Sequence, residues 1–146
     1  MRLLRPSESA PSVFDIDYDR LRAAGKRILL FDLDNTLGRR GARHLTDGVL
    51  EFLVDLEDRG FRVGILTNRR RNAQDPAVHA LREEMPVIHA AGKPARRGFL
   101  KLLAELEGTP DEAVMIGDRW LTDILGANRL GIYSIRVCFS CSVFRR

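Results

Sequence analysis

The feature that most constrains this chain is an alternation. Short apolar runs rich in branched and aromatic residues, at 27–33, 61–66, 86–89, 113–116 and 132–137, take turns with longer segments of helical character. The helical segments run over 17–24, 46–59, 75–84, 96–107 and 121–130. Gly25, Gly60, Gly108 and Gly131 stop four of them; Thr46 is the expected N-cap of the second and Asp75-Pro76 opens the third. Strands separated by helices must run parallel and be joined by right-handed crossovers. The expected fold is therefore α/β, a three-layer Rossmann-like open parallel sheet with helices on both faces.

With 146 residues, 45% of them hydrophobic, the chain can bury one core but not two of ordinary size, so a single domain over 1–146 is expected. Residues 1–12 read as an irregular lead-in and 138–146 as a short C-terminal tail. The apolar runs are far shorter than the roughly 20 residues of a membrane-spanning helix. The opening Met1-Arg2-Leu3-Leu4-Arg5-Pro6 leaves no room for the apolar core of a signal peptide, which points to the cytoplasm. Cys138 and Cys141 form a lone C-x-x-C with no His placed to complete a metal site, and read as two reduced thiols; His44, His79 and His89 show no ligand spacing.

In open parallel sheets, sites form at the carboxyl ends of strands. After the first strand stands Asp32-Leu33-Asp34-Asn35-Thr36-Leu37, whose two carboxylates, two residues apart, lie on one side of an extended segment and suit a cation. A calcium loop of the EF-hand type fails here, because its sixth and twelfth positions hold Leu37 and Arg43 in place of Gly and Glu. Thr67-Asn68 follows the second strand, with a hydroxyl and backbone N–H groups able to hold an anionic oxygen; a plain turn or helix cap is the simpler reading of that pair alone. Lys93 follows the third strand. Gly117-Asp118 follows the fourth, and Asp123 comes about one helical turn later, as a further acid or as an N-cap.

Taken together, acid pair, hydroxyl, lysine and acid, each after a different strand, resemble the four motifs of the haloacid dehalogenase (HAD) superfamily of phosphatases, over residues 13 to 137. The resemblance implies a phosphoric monoester hydrolase in which Asp32 is the nucleophile and Asp34 the general acid and base. Thr67, Asn68 and Lys93 would bind the substrate phosphate. Mg2+ would be held by Asp32, the carbonyl of Asp34 and Asp118, with Asp123 orienting the shell. Both inter-motif gaps are filled by a single helix-containing crossover, so no cap domain is expected and the site should be open.

The wording of three stretches resembles one branch more closely, the cap-less subfamily IIIA proteins similar to phosphatidylglycerophosphate phosphatases. These are Val13-Phe14-Asp15-Ile16, Phe31-Asp32-Leu33-Asp34-Asn35-Thr36-Leu37, and the stretch from Ile116-Gly117-Asp118-Arg119-Trp120 to Asn128-Arg129. A formal charge of +4 and a pI near 9.6 favour an anionic partner. The expectation is a phosphorylated substrate, with an anionic phospholipid foremost, and peripheral contact at the inner membrane face through Arg2, Arg5 and Arg69 to Arg71. Taken alone, the run Arg69-Arg70-Arg71 reads more often as a solvated face. A soluble phosphatase for a nucleotide, sugar phosphate or nucleic-acid end is the alternative. A basic RNA- or assembly-binding module with little turnover is the alternative of another class, disfavoured because no nucleic-acid motif or aromatic stacking platform is present. The chain ends at Arg146, where such relatives usually continue, which puts the cover of one sheet edge in question.

Overall fold

A computed structural model describes residues 2–138. Six strands form one sheet: β1 (Glu8–Ala10), β2 (Ile28–Phe31), β3 (Arg62–Leu66), β4 (Val87–Ile88), β5 (Ala113–Gly117) and β6 (Tyr133–Val137). Their spatial order is β1-β6-β5-β2-β3-β4, and every neighbouring pair is parallel. The helices are α1 (Tyr18–Ala23), α2 (Val49–Asp58), α3 (Pro76–Arg82), α4 (Arg96–Glu105) and α5 (Leu125–Arg129).

Strand periodicity sorts the core into two layers. Leu29, Phe31, Val63, Ile65, Val114 and Ile116 meet Leu21 of α1, Leu53 and Leu56 of α2 and Leu81 of α3 on one face. Ile28, Leu30, Leu66, Ala113 and Met115 meet Phe99, Leu102 and Leu103 of α4 and Ala127 of α5 on the other. Both faces of β2 are therefore sealed, which is why its four residues are all apolar and all buried. Gly64 lets α4 lie close, since a Cβ there would stand 2.7 Å from Leu102 Cδ1. The crossovers from β2 to β3 and from β3 to β4 contain α2 and α3 alone, so no cap covers the carboxyl ends of the strands.

Four expectations need correction. The lead-in is not irregular over 1–12: it holds a 3-10 turn, Arg2–Leu4, and β1, which pairs in register with β6 (Glu8↔Ile135) and covers the edge that the short C-terminus left in question. Ser7 N donates to Ser134 O at 2.8 Å, and Tyr133 OH donates to Glu8 Oε1 at 2.7 Å. Helix α2 begins at Val49 and not at Thr46, because Gly48 takes the N-cap position with φ of 80°. The helix expected over 121–130 is divided into a π-helical turn, Trp120–Ile124, and α5. Cys138 is disulfide-bonded and so is not a reduced thiol; residues 139–146, the rest of the expected tail with Cys141, lie outside the described residues. Among the described residues no helix is long and apolar enough to cross a membrane.

Candidate active site

The ladder between β2 and β5 continues past the end of β2. Asp32 N donates to Ile116 O at 2.9 Å, which sets Asp32 beside the Gly117-Asp118 turn. Asp32 is 5% exposed. Its Oδ1 accepts from Lys93 Nζ at 2.7 Å, and the same ammonium donates to Asp123 Oδ1 at 2.7 Å. Lys93 thus joins two buried carboxylates delivered by β2 and by the turn after β5.

Each member of this triad is held from behind. Asn68 accepts from Lys93 N at 2.9 Å and donates to Lys93 O at 3.2 Å, so its amide fixes the backbone of the lysine loop. Asp123 Oδ2 accepts from Arg119 N at 3.1 Å. The glycine of Gly117-Asp118 is required by this packing: a Cβ at Gly117 would stand 2.3 Å from Asp123 Oδ2. The expected fourth acid is therefore the anchor of the lysine, not a helix N-cap.

Asp34 faces a different partner. Its Oδ1 accepts from Gly41 N at 2.7 Å and from Arg69 Nη2 at 2.8 Å, and Arg69 Nε lies 3.1 and 3.2 Å from the two carboxylate oxygens. Arg69 Nη1 reaches Asp75 Oδ2 at 3.1 Å, while Asp75 also accepts from Val78 N as the N-cap of α3. Arg69 is thus drawn inward as a clamp, against the expectation that it contacts headgroups; Arg70 and Arg71 remain exposed. Thr67 is fully buried at the end of β3, and its hydroxyl accepts from Arg69 N at 3.1 Å.

A cleft of about 180 Å³ opens over these groups, walled by Asp32, Asp34 and Lys93 with the guanidinium-bearing Arg40, Arg69 and Arg119. Asn68 and Thr122 complete the wall, whereas Thr67, Asp118 and Asp123 do not reach it. Its cationic lining suits an anionic ligand. Arg40 escapes a reading by motif, Arg69 is legible only as part of a basic run, Asp75 only as the opening of a helix, and the packing role of Gly117 and the place of Arg119 on the cleft wall are not read from their motif.

The charges explain the ionisation of the site. Burial pushes Asp32 up to about 7, Asp123 adds to the rise, and the Lys93 ammonium opposes it. Burial opposes the charge on Lys93, but Asp32 and Asp123 outweigh it and hold the ammonium above its usual range. Burial, with the Asp123 charge adding, also raises Asp118 despite Arg136 and Arg119. Burial works upward on Asp34 as well, but hydrogen bonds from Arg69 and Gly41 and the charges of Arg69 and Lys93 win and hold it below the ordinary carboxylate value.

Asp32, Asp34 and Asn68 on the cleft wall and Asp118 beside it offer oxygen donors, and no Cys or His lines the cleft. That composition fits a hard divalent cation such as Mg2+. Among the described residues no three His, Cys, Asp or Glu side chains form a metal cage. Mg2+ commonly needs only one or two carboxylates and keeps water on its other positions, so the lack of a three-carboxylate cage does not conflict with that fit.

A buried strand-end carboxylate, a second acid two residues on, a lysine and a basic cleft on a cap-less parallel sheet form a site suited to phosphoric monoester hydrolysis. The chain belongs to the haloacid dehalogenase-like hydrolases, whose family model matches residues 13–131. It is 30% identical over 132 residues to a probable phosphatase, YqeG, of Bacillus subtilis (strain 168), covering 90% of this chain and 76% of that protein. It is 31% identical over 142 residues to the chloroplastic phosphatidylglycerophosphate phosphatase 1 of Chlamydomonas reinhardtii, covering 92% of this chain but 53% of the algal enzyme, so the chain spans about half of that relative. The fold is shared with a HAD phosphatase from Thermococcus onnurineus at a TM-score of 0.60 and 18% identity, over 75% of this chain and 85% of that one.

Proposed function

We propose that the protein hydrolyses phosphomonoesters through an aspartyl-phosphate on Asp32, with phosphatidylglycerophosphate as its substrate. The observation that carries the mechanism is the pair of ion contacts made by Lys93, which holds Asp32 in place and gives the incoming phosphate a fixed positive charge. The lipid reading is supported by the 31% identity to the algal phosphatase across nearly this whole chain and by an open, cationic cleft that a bulky lipid can enter.

In the first half-reaction an Asp32 oxygen bonds to phosphorus, the bond from phosphorus to the leaving oxygen breaks, and Asp34 gives that oxygen its proton. In the second, Asp34 takes a proton from water as the water oxygen attacks phosphorus, and the bond from phosphorus to Asp32 breaks. Arg69 holds Asp34 ionised in the resting site, the form that the second half needs. The first half needs a proton on Asp34, so the substrate anion must draw Arg69 away from it. Mg2+ held by Asp32, the Asp34 carbonyl and Asp118 would supply charge that offsets repulsion between carboxylate and phosphate. Asn68 positions Lys93, and backbone N–H groups beside Thr67 cradle phosphate oxygens.

The test is phosphate release from phosphatidylglycerophosphate in mixed micelles with and without Mg2+, beside soluble phosphomonoesters and an Asp32→Asn control. Preferential lipid turnover that needs Mg2+ and Asp32 is expected. Turnover of soluble esters alone would overturn the lipid reading and leave the mechanism standing.

A further inference from the structure

We propose that the face built by the turns Arg2–Leu4 and Trp120–Ile124 docks the protein on an anionic lipid surface, presenting the cleft to the bilayer. The proposal rests on the lipid reading of the substrate and names the surface by which the protein reaches it.

Among the described residues the large exposed hydrophobic side chains are Leu3 (46% exposed), Phe14, Leu100, Trp120 (44%) and Leu121 (65%). Single exposed apolar residues are ordinary. Phe14 is explained by its edge contact with Phe52, at 4.9 Å between ring centroids, and Leu100 stands by itself on α4. Leu3, Trp120 and Leu121 differ, because they sit on two turns that pack against each other.

These turns are fixed in place. Asn128 Nδ2 donates to Leu3 O at 2.9 Å and to Arg5 O at 2.8 Å, tying the N-terminal turn to α5. The Arg136 guanidinium lies 4.4 Å from the Trp120 ring centroid and donates through Nε to Asp118 O at 3.0 Å, so the indole is oriented while nearly half exposed. The Trp120–Ile124 half of the patch adjoins the chemistry, since Arg119 and Thr122 of the same segment wall the cleft, while Leu3 lines a separate hollow with Arg5 and Lys26.

Its charge is mainly positive. Residues 1–7 and 118–137 carry five arginines and two acids, Asp118 facing Arg136 and Arg119, and Asp123 buried on Lys93. Arg5, Arg119 and Arg129 are exposed. An indole and two leucines on segments that also carry the exposed Arg5, Arg119 and Arg129 match the boundary of an anionic bilayer, where Trp sits at headgroup depth, leucines enter the acyl region and arginines meet phosphates. A protein partner fits less well: three side chains fall short of the roughly 800 Å² per partner that a stable interface buries.

Trp120 is the sole tryptophan of the chain and reports on the patch directly. Its emission should shift to the blue, and be quenched by brominated acyl chains, when phosphatidylglycerol vesicles are added. Binding to phosphatidylcholine vesicles should be weaker by at least about tenfold. A Leu3→Asp, Leu121→Asp double variant should lose vesicle binding and keep hydrolysis of a soluble ester such as p-nitrophenyl phosphate. No shift on anionic vesicles, or undiminished binding by the double variant, would overturn the proposal. So would a shift that follows protein concentration without vesicles, which would assign the patch to a second copy of the chain. Phosphatidylglycerol is a phosphodiester, so docking is read without turnover. Docking that persists without hydrolysis of phosphatidylglycerophosphate would support this surface and overturn only the substrate reading.

Discussion

Arg69 grips Asp34 through Nη2 at 2.8 Å and through Nε at 3.1 and 3.2 Å, tying the acid of the first motif to the loop after β3. The clamp lowers the carboxyl of Asp34 against the upward push of burial. In an Arg69→Gln variant, Asp34 should therefore titrate at higher pH. The limb of the pH profile of kcat/KM that Asp34 controls should move upward, with turnover reduced roughly 10²-fold, within the usual range for general acid–base catalysis. An unchanged profile would show that Arg69 does not set the ionisation of Asp34.

The same clamp couples to stability with a definite sign. A depressed folded-state pKa stabilises the fold above the unfolded value of about 4, and the contribution fades as pH falls through the folded value. Thermal melts of wild type and Arg69→Gln should converge as pH drops below about 4. Asp32 behaves oppositely: its carboxyl is raised to about 7, so the metal-free fold loses stability as pH climbs from its unfolded value towards 7. Asp32→Asn leaves Lys93 balanced by Asp123 and should raise the melting temperature of the metal-free protein at pH 8.

Added Mg2+ should reverse that loss in the wild type. At about 100 times its dissociation constant, a ligand of the folded state stabilises by about 2.7 kcal/mol, which is roughly 5–10 °C for a chain of this size. Asp118→Asn should show little of the rise. Equal rises in both proteins would remove Asp118 from the cation site.

Lys93 is 6% exposed between two carboxylates that are also buried. Lys93→Met leaves both without a counter-charge and should cost about 3–5 kcal/mol in urea unfolding. Adding Asp123→Asn should restore part of it. Additive losses in the double variant would contradict a coupled triad.

Gly117→Ala tests the packing behind that triad. The new Cβ would fall 2.3 Å from Asp123 Oδ2, so Asp123 must shift and Lys93 loses an anchor. Turnover should fall about 10²-fold, as misplacing a catalytic group by about 1 Å can do. Far-ultraviolet circular dichroism should stay native. Full activity would mean that Asp123 has freedom to move.

The sheet is legible in the sequence because buried parallel strands must be apolar on both faces, as 28–31 and 113–117 are. β1 hides because an edge strand of sequence Glu-Ser-Ala needs no such pattern; its partner Ile135 lies 127 residues away. The acids at strand ends are equally legible, since a strand terminus fixes where Asp32 and Asp118 emerge. The grip of Arg69 on Asp34 is not, because it spans 35 residues and depends on how two loops fold over one another. Asn68 shows a further limit: residue type allows a phosphate ligand, while the geometry has its side chain holding the backbone of Lys93.

The proposed mechanism stands or falls on Asp32 carrying the phosphoryl group. Rapid quenching of the protein during turnover of a ³²P-labelled phosphomonoester, followed by peptide mapping, tests it most directly. A hydroxylamine-sensitive label is expected on the peptide containing Asp32 and absent from Asp32→Asn. Label on another residue, or turnover undiminished in Asp32→Asn, would contradict it.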